Sequence, residues 1–166
     1  MKKFIALALS AVLALSIVAC GGSKDNGSAY DVAKVAASIE EANPIRMSTP
    51  IEQDYIDFIG LTEDMYEAYA GSYCPITPGV DVIIVVEAKE GKVEDVKSVL
   101  ENRKAELVAA NENYVGSLLD KATAGRVVVK GNYAVLVIAG DEMVVEDQGV
   151  EVAYAPVDAA IEEAFK

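Results

Sequence analysis

The sequence contains no histidine, no tryptophan and only two cysteines. Without histidine the chain lacks the usual general base near neutral pH, every triad built on an imidazole, and the commonest metal ligand. Two cysteines are too few for a thiolate zinc site. Without tryptophan it also lacks the largest aromatic platform found in substrate clefts. Neither the G-x-x-x-x-G-K-[ST] phosphate loop, nor the D-x-[DN]-x-[DN]-G calcium loop, nor S-x-x-K occurs. Positive charge is scarce as well. Fourteen lysines and arginines face 27 acids, a formal net charge of −13. Such a body is repelled by nucleic acid and by anionic lipid, so no nucleic-acid partner is expected.

The one long apolar run is at the start. Met1-Lys2-Lys3 is a short basic segment, and residues 4–19 are apolar or small, with Ser10 and Ser16 as the only hydroxyls. The run is shorter than the roughly 20 residues of a stable membrane-spanning helix and has the layout of a secretory signal peptide. It ends in Ile17-Val18-Ala19-Cys20, which resembles the bacterial lipobox. That resemblance implies a diacylglyceryl group on the Cys20 sulfur and cleavage between Ala19 and Cys20. Two acyl chains anchor stably where one does so marginally, so the expected location is the extracytoplasmic face of the cell membrane. Cleavage would remove Lys2 and Lys3 and no acid, leaving the mature chain more acidic still.

Residues 21–28, GGSKDNGS, have no apolar side chain and read as a flexible tether. Fully stretched, it reaches about 28 Å at ~3.5 Å per residue. The expected division is a lipoprotein signal peptide over 1–19, the lipidated cysteine and tether over 20–28, and one α+β domain over 29–166. With Cys20 carrying lipid, Cys74 has no partner in its own chain. It reads as a small, partly buried apolar residue. The other readings are a thiol that pairs between chains and a nucleophile, the latter without a histidine to activate it.

Along the body, residues 29–42 place Val32, Val35, Ala36 and Ile39 on one helical face, with Ser28 and Asp31 as a capping-box start and Asn43-Pro44 as the end. Thr49 as N-cap, Pro50 at the first helical position and Glu52 predict a short helix up to Gly60. Residues 65–73, MYEAYAGSY, favour a strand through their tyrosines, followed by a CPITPG loop. Val82 to Val86 are apolar without alternation, which predicts a strand covered on both faces. Residues 92–125 follow a helical period through Val96, Leu100, Arg103 and Leu107, with a break or kink at Asn111-Glu112-Asn113 and a stop at Gly125. Residues 126–129 and 133–139 predict a hairpin turned at Lys130-Gly131-Asn132. A last helix is expected with Pro156 near its start and Val157, Ala160, Ile161 and Ala164 along one side. The expected fold is α+β, a mainly antiparallel sheet of about four strands with helices packed on one face.

The leader, the Gly60-Leu61 step before the first strand, the apolar strand, the charged helix ending near Tyr114 and the KGNYAVLVIAG strand together resemble the domain of unknown function 4358 family. The most specific part is Lys130-Gly131-Asn132-Tyr133 with the apolar strand after it and Tyr114 upstream. The resemblance covers residues 32–140, and residues 141–155 follow it less well. It implies a small bacterial lipoprotein and carries over no catalytic residue, because the family has no assigned activity.

No catalytic residue, metal site or cofactor is expected. Carboxylates occur in groups, Asp54 with Asp57, Glu87 with Glu90, and Asp141, Glu142, Glu146 and Asp147, but they alternate with apolar residues as a solvated face does. Arg103 and Tyr114 are the candidate ligand or partner residues. Arg103 interrupts an apolar stripe, where its stem can pack while its head reaches water or a carboxylate. The expected role is a non-catalytic binding or interaction module at the cell envelope, its partner an unknown envelope protein or ligand. The alternative is an extracytoplasmic small-molecule-binding protein or carboxylate-dependent hydrolase.

Overall fold

A computed structural model describes residues 30–166 apart from Val115. The signal peptide, Cys20, its cleavage site, the tether and Ser28 lie outside the described residues.

The order of elements is α1 (Val32–Ala42), β1 (Thr49–Pro50), α2 (Gln53–Ile59), β2 (Tyr66–Tyr73), β3 (Val82–Ala88), α3 (Val93–Asn111), α4 (Ser117–Ala124), β4 (Arg126–Lys130), β5 (Tyr133–Ile138), α5 (Glu142–Gln148) and α6 (Val150–Ala164). The five strands form one antiparallel sheet in the order β1-β2-β3-β5-β4. The α+β class and the antiparallel sheet are as expected. The β4–β5 hairpin also forms, with Gly131 at φ 60° in its turn. Asn132 ties that turn to the neighbouring strand, accepting from Ala88 N–H at 2.8 Å and donating through Nδ2 to Ala88 O.

Helices cover both faces of the sheet, not one. Ile83, Val85, Val135 and Val137 point into a core closed by α1, α5 and α6, through Ile39, Val145, Tyr154 and Val157. Ile84, Val86, Leu136 and Ile138 point the other way, into a core closed by α2, α3 and α4, through Ile56, Val96, Leu100 and Ala122. The cause lies in β3 and β5, the two strands at the middle of the sheet's apolar core. Neither alternates polar with apolar residues, so both of their faces have to be taken out of water.

Three further boundaries differ from expectation. Thr49 and Pro50 do not start a helix. They pair with Tyr73 and Ser72 as a two-residue edge strand, and Ile51 N–H continues the pairing to Gly71 O at 2.9 Å. An edge strand tolerates proline, since no neighbour needs its missing N–H, and the helix begins after Glu52. Pro156 lies inside α6, two turns from its start at Val150. It sits on the solvent side, where water can meet the carbonyl its ring leaves without a donor. Residues 142–148, for which no element was expected, form α5. Asp141 caps it by accepting from Met143 N–H at 2.8 Å and Val144 N–H at 3.3 Å. Asp31, expected as the second member of a capping box, is itself the N-cap of α1 and accepts from Ala33 and Lys34 N–H. The break near Asn111 is where α3 ends.

The two ends of the described residues meet on the α1/α6 side. Tyr30 donates to Phe165 O at 2.9 Å, and Tyr133, from the KGNY segment, donates to Tyr30 O at 3.0 Å.

Candidate functional site

The β2–β3 connection, residues 74–81, does not turn tightly. It folds back beside the end of the sheet and faces α2 and α3 across a cleft of about 400 Å³, a size suited to small-molecule or short-peptide ligands. The loop is held at its base by Cys74 N–H donating to Asp81 O at 2.9 Å. Gly79 makes its turn possible, because a Cβ there would lie 2.3 Å from Ile76 O. Cys74 is a buried free thiol among the described residues, consistent with the packing role read from its sequence context.

Arg103 reaches the cleft from α3. Its guanidinium carbon lies 5.4 Å from the Tyr55 ring centre and 5.2 Å from that of Phe58, both on α2. Its Nε donates to Tyr55 Oη at 3.2 Å and its Nη1 to Glu106 Oε2 at 3.1 Å. Both rings attract the cation through their faces. Tyr55 is also packed at 4.6 Å against Tyr73 of β2. Burial raises the Tyr55 hydroxyl above the usual phenol range, with Arg103 opposing that shift. Tyr55 therefore stays a neutral phenol near pH 7, with its own O–H still to donate. Arg103, Glu106, Leu107, Ala110 and Asn111 all border the cleft because spacings of three and four place them along one side of a helix.

At the loop's end is a buried ion pair. Asp81 and Lys121 of α4 are in direct contact, their side chains 6% and 4% exposed, and Glu142 of α5 approaches the same ammonium at 3.7 Å. Burial raises the Asp81 carboxyl, and the attraction of Lys121 offsets only part of that. Tyr154 of α6 closes the arrangement, donating to Lys121 O at 2.6 Å. The cleft loop is thereby tied through Asp81 to helices from both layers.

Asn111 sits where α3 ends and is 3% exposed. Its Nδ2 donates to Leu107 O at 2.8 Å. Its Oδ1 is buried with no hydrogen-bond partner among the described residues, an arrangement that is costly until a donor arrives.

Both candidates read from the sequence border this cleft. Arg103 forms its inner wall, and Tyr114, 42% exposed, stands at its rim. Cys20 lies outside the described residues. The grouped carboxylates do not converge. Asp57 accepts from Gln53, Glu142 approaches Lys121, Glu146 accepts from Ser117, and Asp141 caps α5. Among the described residues no group of three or more cysteines, aspartates or glutamates is placed to hold a metal ion. Sequence reasoning missed Tyr55, Phe58, Tyr73, Asp81 and Asn111. Tyr55 and Phe58 carried the one usable signal, since two aromatics on so short a helix exceed what a core contact needs. Phe58 is indeed 69% exposed.

A second cavity of similar size lies on the opposite side, between the end of α1 and the α5–α6 pair. Its buried polar residue, Asn43, already donates to Ile39 O at 3.2 Å.

The family model described as Domain of unknown function (DUF4358) matches residues 46–139. The match runs from before β1 to the end of β5 and takes in the whole cleft, while α1, α5 and α6 lie beyond it. No curated protein and no solved structure matches the chain.

Proposed function

The chain belongs to the domain of unknown function 4358 family, and we propose that it is a membrane-anchored binding module on the extracytoplasmic face of the cell envelope. Lipid on Cys20 holds it at the membrane, residues 21–28 let it stand off the surface, and its acidity keeps the body from adhering to anionic lipid. Recognition takes place in the cleft between α2, α3 and the 74–81 loop.

One observation carries the reading. The cleft presents a guanidinium between aromatic rings, and both carboxylates that border it, Asp81 and Glu106, are already in ion pairs. Ligand orientation needs a few fixed polar groups among apolar walls, and these are supplied. Hydrolysis by carboxylates needs one acid free to give a proton and a second free to attack or to activate water. Engaged carboxylates favour binding over the hydrolase alternative.

Two measurements test this. Cys20→Ala is expected to abolish labelling by fatty acid and to leave the precursor uncleaved. Continued incorporation of labelled palmitate by that variant overturns the anchor. For the cleft, a thermal-shift screen of peptides and small envelope-derived compounds is run on the full chain beside Arg103→Gln. A cleft ligand at about 100 times its dissociation constant adds roughly 2.7 kcal/mol of stability to the wild type, and that gain is expected to shrink in Arg103→Gln. Saturable hydrolysis lost in Asp81→Asn or Glu106→Gln would replace the binding role with a catalytic one.

A further inference from the structure

The cleft's unused hydrogen-bonding groups have a pattern. At one end Arg103 is 15% exposed, and with Nε on Tyr55 and Nη1 on Glu106 its Nη2 has no partner among the described residues. That leaves donors for an anion. At the other end is the buried acceptor Asn111 Oδ1, which calls for an N–H or O–H donor. The loop residues Ile76, Thr77 and Gly79 also border the cleft, and their N–H groups make no hydrogen bond among the described residues. Between these points the walls are apolar, with Leu107 and Ala110 on one side and Ile76 and Pro78 on the other.

From Arg103 to Asn111 the helix rises about 12 Å at ~1.5 Å per residue. Three extended residues cover about 10 Å at ~3.4 Å each. The anion's charge is also constrained. Glu106 already accepts from Nη1 at 3.1 Å, so a doubly charged phosphate would meet a carboxylate beside it, whereas a singly charged carboxylate meets less repulsion.

We propose that the cleft takes the free C-terminal end of a short peptide, with its carboxylate at Arg103 and its preceding two or three residues laid between α3 and the 74–81 loop toward Asn111. This rests on the reading of the cleft as a binding site and names its ligand class. The loop N–H groups would donate to peptide carbonyls, and Asn111 Oδ1 would accept a peptide N–H. Apolar side chains of the ligand would then lie against Leu107 and Ile76.

The test uses the full lipidated chain in detergent micelles and pools of N-acetylated tripeptides of random sequence in two forms, one with a free carboxyl end and one with a carboxamide. Retention of each pool is read by mass spectrometry, and protection of residues 74–81 by hydrogen exchange. The acid pool is expected to be retained about ten-fold more than the amide pool, as a charge-assisted hydrogen bond from Arg103 warrants, with slowed exchange in the loop. Arg103→Gln is expected to abolish the difference, Arg103→Lys to restore it in part, and Asn111→Leu to weaken retention of the acid pool. Equal retention of both pools with the loop protected overturns the carboxylate inference and leaves the binding role standing. Equal retention of N-acetylated single amino acids overturns the peptide. Protection of the loop by compounds from the thermal-shift screen but by neither pool overturns this ligand class alone. Protection by nothing in either experiment overturns the binding role with it.

Discussion

Lys121→Met is expected to lower stability by about 3–5 kcal/mol at neutral pH, because removing one partner of a buried pair leaves the other charge uncompensated. Methionine nearly preserves the volume, so the loss reports charge rather than a cavity. Asp81 is the group stranded. It is 6% exposed, and its carboxyl is already raised above its ordinary value by burial, with Lys121 opposing. The pH dependence has a definite sign. A carboxyl raised in the folded state binds its proton more tightly there than in the unfolded chain. Its contribution to stability therefore declines as pH rises through the interval between the unfolded and folded values. Without Lys121 that interval extends upward. The deficit of the variant should be largest at neutral pH and should narrow as pH falls and Asp81 takes up a proton. Urea unfolding at several pH values measures this. The double variant Asp81→Leu, Lys121→Met should recover most of the loss, since an apolar pair of similar volume needs no compensation. A deficit under about 1 kcal/mol, or one that does not change with pH, would mean that water reaches the pair.

Leu100→Ala is expected to cost about 2–5 kcal/mol, the usual range for truncating a buried leucine where the site collapses only in part. Leu100 is fully buried in the core between α3 and the sheet, beside Val96 and opposite Leu136 and Ile138. The effect should appear as a lower urea midpoint with an unchanged slope. A loss below about 0.5 kcal/mol would place Leu100 at the surface and remove the α2–α4 layer as a packed face. Because α3 carries Arg103 and Asn111, cleft binding should weaken in this variant in parallel with its stability.

Several elements were legible because their causes are local. The KGNY turn needs a residue that accepts positive φ between two apolar runs, and Gly131 supplies it. The end of α3 was marked by Asn111-Glu112-Asn113, side chains that compete with the helix for backbone hydrogen bonds. The boundaries misread were those where a tertiary partner outweighs a local preference. Thr49-Pro50 has the chemistry of a helix start, but the edge of β2 was open and took it as a strand. Pro156 has the chemistry of a helix start too, yet the apolar run of Ala153, Tyr154 and Val157 had a core to bury and carried the helix through it.

Local patterning alone assigned helix and strand over most of residues 30–140 and showed that the strand from Val82 to Val86 lacks a polar face. It also marked Arg103 as anomalous on an apolar stripe. Long-range packing is what puts helices on both faces, Arg103 beside Tyr55 and Phe58, and Asp81 against Lys121. Periodicity and turn chemistry act over a few residues and can be read along the chain. The cleft joins residues more than forty positions apart, and their meeting follows from the order in which the strands pair and from which face each helix covers. Those choices minimise exposed apolar surface over the whole molecule, a quantity that no local stretch of sequence carries.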